Sequence, residues 1–345
     1  MSESSTGQRP TLEAVATRAG VSRATVSRVV NGSTAVRAPL AERVRRAVEE
    51  LGYVPNQAAR SLVTRRHDAI AVVVAEPEAR VFADPFFGLQ LRGISKELTA
   101  QDSQLVLLLT EGPDDYARVG RYLAGGHVDG ALAFSLHLDD PLPGILRDSG
   151  VPIVFGGRPD GTADPAGVRY VDCDNRGGAR DAVRHLAGLG RRRIAHITGP
   201  LDQTSAVDRR DGFREVCGDG DPRLVEPGDF TPAGGERAMR ALLDRCPDLD
   251  AVFAANDLSA VGALRVLRQR GLRVPEDVAV AGFDDMRHVA EESDPPLTTV
   301  RQDIEGMGRL MARMLLDDGR PPEPGAEAAP SSVVLETTLV RRASA

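Results

Sequence analysis

Residues 11–32 read TLEAVATRAGVSRATVSRVVNG. Leu12, Val15, Ala16 and Ala19 recur at i, i+3, i+4 and i+7, one stripe of a short helix, with Thr11 placed to cap its start and Gly20 to stop it. Ser22 can cap a second helix from Arg23 to about Val30, turning Val26, Val29 and Val30 inward and leaving Arg23, Ala24, Ser27 and Arg28 outside. Asn31-Gly32 closes that helix. A third runs from about Pro39 to Leu51, apolar at Leu40, Val44, Ala47, Val48 and Leu51, with Gly52 beyond its end. Two short helices joined by a glycine-containing turn, beside a third, form the helix-turn-helix layout.

The exposed side chains of the second helix suit base edges and phosphates. Arg28 can meet guanine in a bidentate contact, and Arg23 can reach a base or a phosphate. Ser22, Thr25 and Ser27 can bond phosphates, and Ala24 can touch a thymine methyl. A small bundle that binds protein is the alternative from pattern alone. Charge bears on the choice. The 345-residue chain holds 43 basic and 50 acidic residues, net −7, which taken whole opposes a nucleic-acid partner. Residues 1–66, however, carry eleven arginines against five glutamates, +6, and the remainder carries −13. A basic head on an acidic body fits one domain that meets a polyanion and another with separate work.

The length allows two or three domains at roughly 100–200 residues each. From residue 69 onward, apolar strands alternate with amphipathic helices, the pattern of parallel α/β sheets. The candidate strands are AIAVVV (69–74), QLVLLL (104–109), VDGALAF (128–134), VPIVFG (151–156), RIAHITG (193–199), AVFAAN (251–256) and VAVAGFDD (278–285). The helix with Phe87, Leu91, Ile94 and Leu98 shows a clear apolar face. The first sheet ends near Tyr170, a second βα series follows Asp174-Asn175, and two doubly wound lobes result. Ligands of such sheets bind at the carboxyl ends of strands. Asp84, Phe86 and Phe87 follow the first strand, Asn256 and Asp257 another, Asp284 ends a third, Gln302 follows LTTV, and Arg209 lies on a following helix. Carboxylates, amides and a guanidinium beside aromatic rings suit a sugar, whose diols take charge-assisted hydrogen bonds while its C–H faces pack on rings. Asp257 could equally be a helix cap.

Cys173, Cys217 and Cys246 lie far apart, signalling neither a disulfide framework nor a zinc site, and no metal or cofactor is expected. Asp284-Asp285 sits at a strand end, where neighbours point to opposite faces, and no nucleophile–histidine pattern accompanies it, so an enzyme is not expected. The N-terminus lacks a secretory signal and no stretch is long enough to span a bilayer, so the reading is a soluble cytoplasmic protein without a membrane partner.

Thr11–Gly32, followed by ELGYVPNQAARSL (50–62), closely resembles the DNA-binding head of the LacI/GalR family of transcriptional regulators. Ala14 departs from the family's usual Asp, which weakens a capping box, though Glu13 still favours that helix start. DPFF (84–87), DNRGGA (174–179), RRDGF (209–213), ANDLSAVGAL (255–264), GFDD (282–285) and PPLTTVRQD (295–303) look like the same family's effector domain, itself similar to periplasmic sugar-binding proteins. The resemblance implies an all-α helix-turn-helix domain (10–55) after a disordered tail (1–9), a hinge helix (56–66) and a two-lobed effector domain (67–345). Lobe one would hold 67–171 and 303–330, and lobe two 172–302 and 331–345, with PPEPGAEAAP (321–330) as a linker and SSVVLETTLV (331–340) as a final strand. It adds Thr11, Asn31, Asn56, Ala59 and Arg60 to the DNA contacts and makes Leu62 a wedge entering the minor groove. It also implies Asp84, Phe86, Phe87, Arg209, Asn256, Asp284 and Gln302 as effector contacts, to which the strand-end reading adds Asp257. The expected protein is a repressor of carbohydrate genes that binds a pseudo-palindromic operator as a homodimer, its affinity gated by a sugar-like effector. A sugar-transport component is the rival, opposed by the basic head and the missing signal peptide.

Overall fold

The computed structural model describes residues 10–31, 35–54, 66–138, 140–159, 168–218, 220–317 and 332–345. The expected tail, the hinge residues Asn56, Ala59, Arg60 and Leu62, and the linker 321–330 lie outside them. The chain divides into two compact units, Met1–His67 and Asp68–Ala345.

The head holds α1 (Leu12–Ala19), α2 (Arg23–Val30) and α3 (Ala38–Leu51). Thr11 Oγ1 accepts from Ala14 N at 3.2 Å and Ser22 Oγ from Thr25 N at 3.2 Å, so both expected caps form despite Ala14. Gly20 and Gly52 end α1 and α3 in the left-handed region, at φ 61° and 60°. Val15, Val26 and Val44, all fully buried, meet at the centre with Ala16, Ala19, Ala47 and Tyr53. On α3 Ala41 is buried along with Val44 and Ala47, while Leu40 is only partly covered. Arg43 donates to Ala19 O at 2.6 Å, fastening α3 to the end of α1.

The second unit runs β1 (Ala69–Val74), α4 (Glu78–Ala83), α5 (Pro85–Ala100), β2 (Gln104–Leu109), α6 (Pro113–Ala124), β3 (Gly130–Phe134), α7 (Leu142–Asp148), β4 (Ile153–Gly156) and β5 (Tyr170–Cys173). It continues with α8 (Asn175–Gly188), β6 (Ile194–Ile197), α9 (Thr204–Cys217), β7 (Val225–Glu226), α10 (Pro232–Arg245), β8 (Ala251–Ala254), α11 (Asp257–Gln269) and β9 (Ala279–Asp284). α12 (Arg287–Ala290), β10 (Thr298–Arg301), α13 (Ile304–Asp317), β11 (Ser332–Leu335) and β12 (Thr338–Val340) complete it. One sheet has the order β11-β5-β4-β3-β1-β2, and the other β12-β10-β9-β8-β6-β7. All recorded pairings are parallel except β10 with β12. Both faces of β1 are buried, Ile70, Val72 and Val74 on one side and Ala71 and Val73 on the other, which is why that strand reads as an unbroken apolar run.

α13 returns to the first lobe and lies on α5. A Cβ on Gly93 would sit 2.0 Å from Glu305 O, and one on Gly308 would sit 2.3 Å from Gln90 O, so two glycines permit that approach. The final segment corrects the expectation of one strand in lobe two. Residues 332–335 pair in parallel with β5 in the first sheet, and 338–340 pair antiparallel with β10 in the second. The last crossing therefore falls at Glu336-Thr337. Asp174 N donates to Leu335 O at 2.9 Å and Thr337 Oγ1 to Asp174 O at 3.3 Å, stitching the first and last crossings side by side.

Candidate functional site

On the head, Arg23, Ala24 and Arg28 are exposed on α2, with Thr25 and Ser27 partly covered. Ser22 Oγ and Thr25 Oγ1 lie 2.9 Å apart, and Asn31 Nδ2 donates to Ser27 Oγ at 3.4 Å, so these groups order one another at the helix surface. Arg23 pairs with Glu13 at 3.0 Å, both exposed, a contact a phosphate could displace at little cost. Thr11 serves the α1 cap.

The second site is a cleft of about 790 Å³, its mouth included, between the two lobes. Lobe one supplies Asp84, Phe86, Phe87 and Phe134, and lobe two supplies Asn175, Arg209, Phe230, Asn256 and Asp284. Gln302 and Met307 come from the crossing and the start of α13. Arg209, 5% exposed, organises the second lobe. Its Nε donates to Asn175 Oδ1 at 2.9 Å, its Nη1 donates to Ala255 O at 2.6 Å, and Nη1 lies 3.5 Å from Asp284 Oδ1. Its guanidinium covers the Phe283 ring at 3.7 Å.

Asp284 and Asp285 both have left-handed backbones, at φ 110° and 53°, unusual for non-glycine residues and characteristic of functional sites. Gln302 Nε2 donates to Asp284 Oδ1 at 2.6 Å, while Asp285 pairs outside the cleft with Arg301 at 2.6 Å and Arg342 at 2.7 Å. Burial pushes the Asp284 carboxyl up to about 7, Arg209 opposing it and the nearby Asp84 adding to it. Burial also raises Asp84, whose carboxylate caps α5 by accepting from Phe86 N at 2.9 Å. Asp172, at the edge of the cleft, is pushed up to about 6, chiefly by burial.

Phe230, also left-handed at φ 62°, lies over Gly199, where a Cβ would come within 2.2 Å of the ring. Arg80 from lobe one and Arg209 from lobe two each stand 5.7 Å from its centroid. Asn256 Nδ2 donates to Phe230 O at 2.9 Å while its Oδ1 accepts from Ser259 N at 2.9 Å, so this amide both holds the ring and caps α11.

The lobes are clasped at the mouth. Gln203 Nε2 donates to Glu76 Oε1 at 2.8 Å, His137 Nδ1 lies 2.8 Å from Asp202 Oδ2, Thr204 Oγ1 donates to Arg158 O at 2.9 Å, and Arg158 holds both Asp208 oxygens at 3.0 and 3.1 Å. The Glu76 hydrogen bond is the main reason His137 rises to about 9, Asp202 adding to it against burial. Burial alone would raise Glu76, but His137, Arg80, Ser135 and Gln203 hold it below the usual carboxylate range.

Of the residues expected at the effector site, Asp84, Phe86, Phe87, Arg209, Asn256, Asp284 and Gln302 line the cleft. Asp257 does not. Fully buried, it accepts from Met286 N at 2.8 Å and from Thr299 Oγ1 at 2.5 Å, so it braces β10 and the turn after β9. Nor is it the cap, which is Asn256. The sequence reading missed Arg80, Gln90, Asn175, Gln203 and Phe230. Asn175 follows β5 and was open to the strand-end rule. Gln90 interrupts an apolar helical stripe. Arg80 and Phe230 carry no local signal. Among the described residues no cluster suits a metal ion, and no helix is long and apolar enough to cross a membrane.

A helix-turn-helix head followed by a two-lobed α/β domain with a polar, aromatic-lined cleft defines a DNA-binding regulator with a ligand site. Residues 11–56 match the bacterial regulatory proteins of the lacI family, and residues 183–345 match the periplasmic binding protein-like domain. Over 341 residues the chain is 52% identical to the HTH-type transcriptional regulator CelR of Thermobifida fusca, covering 98% of each. It is 35% identical to the ribose operon repressor of Escherichia coli K12 over 89% of this chain and 92% of that one. A solved CelR–cellobiose complex superposes with TM-score 0.75 at 50% identity, covering 98% of this chain and all (100%) of that one. The lac repressor dimer bound to operator and the anti-inducer ONPF superposes with TM-score 0.84 at 28% identity, covering 98% and 99%. The chain belongs to the LacI family and is a transcriptional regulator.

Proposed function

We propose that this regulator represses carbohydrate genes by binding a pseudo-palindromic operator as a homodimer, and that a disaccharide of the cellobiose type, held between the lobes, gates that binding. The observation that carries the sugar reading is the joined set of Arg209, Asp284, Asn175 and Gln302 facing Asp84, Phe86 and Phe87 across one cleft. Charged and amide groups fixed by each other can bind ring hydroxyls without reorganising, and the phenyl rings accept the C–H faces. The 50% identical relative solved with cellobiose supports the choice of sugar. The cleft binds its sugar unchanged; the protein is a sensor and not an enzyme.

On DNA, Arg28 and Arg23 of each α2 would read the major groove, with Ser22, Thr25, Ser27, Thr11 and Asn31 at the backbone. Asn56, Ala59, Arg60 and Leu62 would pair with their copies at the centre of the site. The sugar's leverage is its difference in affinity for two lobe arrangements, commonly about 1–3 kcal/mol of coupling. Calorimetric titration with cellobiose, maltose and ribose, and DNA mobility shifts with each, test the proposal. Cellobiose should bind tightest and change operator affinity; no binding of any sugar, or binding with operator affinity unchanged, would overturn it.

A further inference from the structure

The apolar stripe of α5 contains Phe87, Ile94 and Leu98, and Gln90 breaks it although only 1% exposed. The Gln90 side chain borders the floor of the cleft with Phe87, Phe134, Gly156 and Met307. Its Nε2 meets only thioether sulfurs, Met311 Sδ at 3.3 Å and Met307 Sδ at 3.8 Å, and its buried Oε1 has no hydrogen-bond partner. Thioether sulfur is a weak acceptor. An amide here costs folding stability that leucine or methionine would not. Space is nonetheless kept for it, because a Cβ on Gly156 would fall 2.9 Å from Nε2. Three other polar groups of the cleft are engaged with protein: Asp284 with Gln302 and Arg209, Asn256 with Phe230 and Ser259, Asp84 with Phe86.

We propose that Gln90 is a specificity-determining residue of the effector site, its amide turning toward the cleft to hydrogen-bond one hydroxyl of the bound sugar at the lobe-one floor. The terminal amide torsion is soft, so the turn is cheap. A hydroxyl both donates and accepts, so either edge of the amide serves. A floor that binds a hydroxyl rejects the analogue lacking it more strongly than an apolar floor rejects an added one, because the unpaired amide stays buried. This inference rests on the sugar reading above.

Calorimetric titration of the full-length protein and of Gln90→Met and Gln90→Leu, using cellobiose and its monodeoxy derivatives, tests it, together with thermal unfolding without sugar. The variants should unfold at or above the wild-type temperature and bind cellobiose about tenfold more weakly. One monodeoxy derivative that the wild type rejects should bind each variant as tightly as cellobiose does. Unchanged cellobiose affinity, wild-type discrimination against every derivative, or failure of both variants to fold would assign Gln90 to the core and overturn the inference alone. A wild-type protein that binds no cellobiose would defeat the sugar reading, and the role of Gln90 with it.

Discussion

Asp284 shows how one residue combines several demands. It stands at the end of β9 with φ 110°, bonded to Gln302 and facing Arg209, buried at the wall of the cleft. Its folded pKa of about 7 lies above the ordinary 3.8. The folded protein therefore keeps a proton that the unfolded chain releases, and stability falls as pH rises from about 4 to about 7. Asp172, raised to about 6, acts in the same direction over an overlapping window. Asp284→Asn should reduce this fall, leaving the parts due to Asp172, Asp84 and Asp257, all raised by burial, and to His137, raised to about 9 chiefly by Glu76. Urea midpoints at pH 5 and pH 8 measure it, and an equal drop in the two proteins would remove Asp284 as the cause. At this scale the strand-end rule located Arg209, Asn256, Asp284 and Gln302, but it specifies a position and not a direction. Asp257 follows a strand just as Asn256 does, yet the helical turn that Asn256 caps carries the Asp257 carboxylate to Thr299 and Met286 instead.

Among the elements, α9 connects ligand site and lobe closure. Its first turns carry Thr204 and Asp208, both bonded to Arg158 of the first lobe, just before Arg209 in the cleft; Gln203, at its cap, holds Glu76. Arg158 and Asp208 are about one-fifth exposed, at 21% and 20%, so their ion pair, one guanidinium nitrogen shared by both carboxylate oxygens, is neither screened like a surface bridge nor heavily desolvated. Asp208→Ala should loosen the closed arrangement, raising the radius of gyration of the sugar-free protein in solution scattering, weakening cellobiose several-fold and moving operator affinity in the direction opposite to that of added cellobiose. An unchanged scattering profile would place the closing force elsewhere. Element identities were largely legible: β1 and β2 occupy the residues that pattern assigned, and α1 and α2 begin at their expected caps. The final segment was not, because ten mostly apolar and β-branched residues read as one strand, and only the geometry of two sheets dictates a break at Glu336-Thr337.

For the whole molecule, the division of charge matters more than its total. The head carries +6 and the remainder −13, so phosphate contact should concentrate on residues 1–66, with an affinity that falls steeply with salt. Removing those residues should abolish operator binding in a mobility-shift assay and leave the calorimetric titration with cellobiose unchanged, since the cleft lies wholly within the second compact unit. Retained DNA binding would contradict the division of labour. The sequence by itself determined the helix-turn-helix head, the alternating strands and helices and the polar residues at strand ends, because caps, periodicity and strand limits are local and each is written within about ten residues. Tertiary structure alone decided that Arg80 and Arg209 both meet the Phe230 ring, that Asp257 faces inward, that Gln90 meets the cleft floor and that the last segment divides between sheets. Those outcomes depend on which segments far apart in the chain pack against one another, and no local pattern encodes such a meeting.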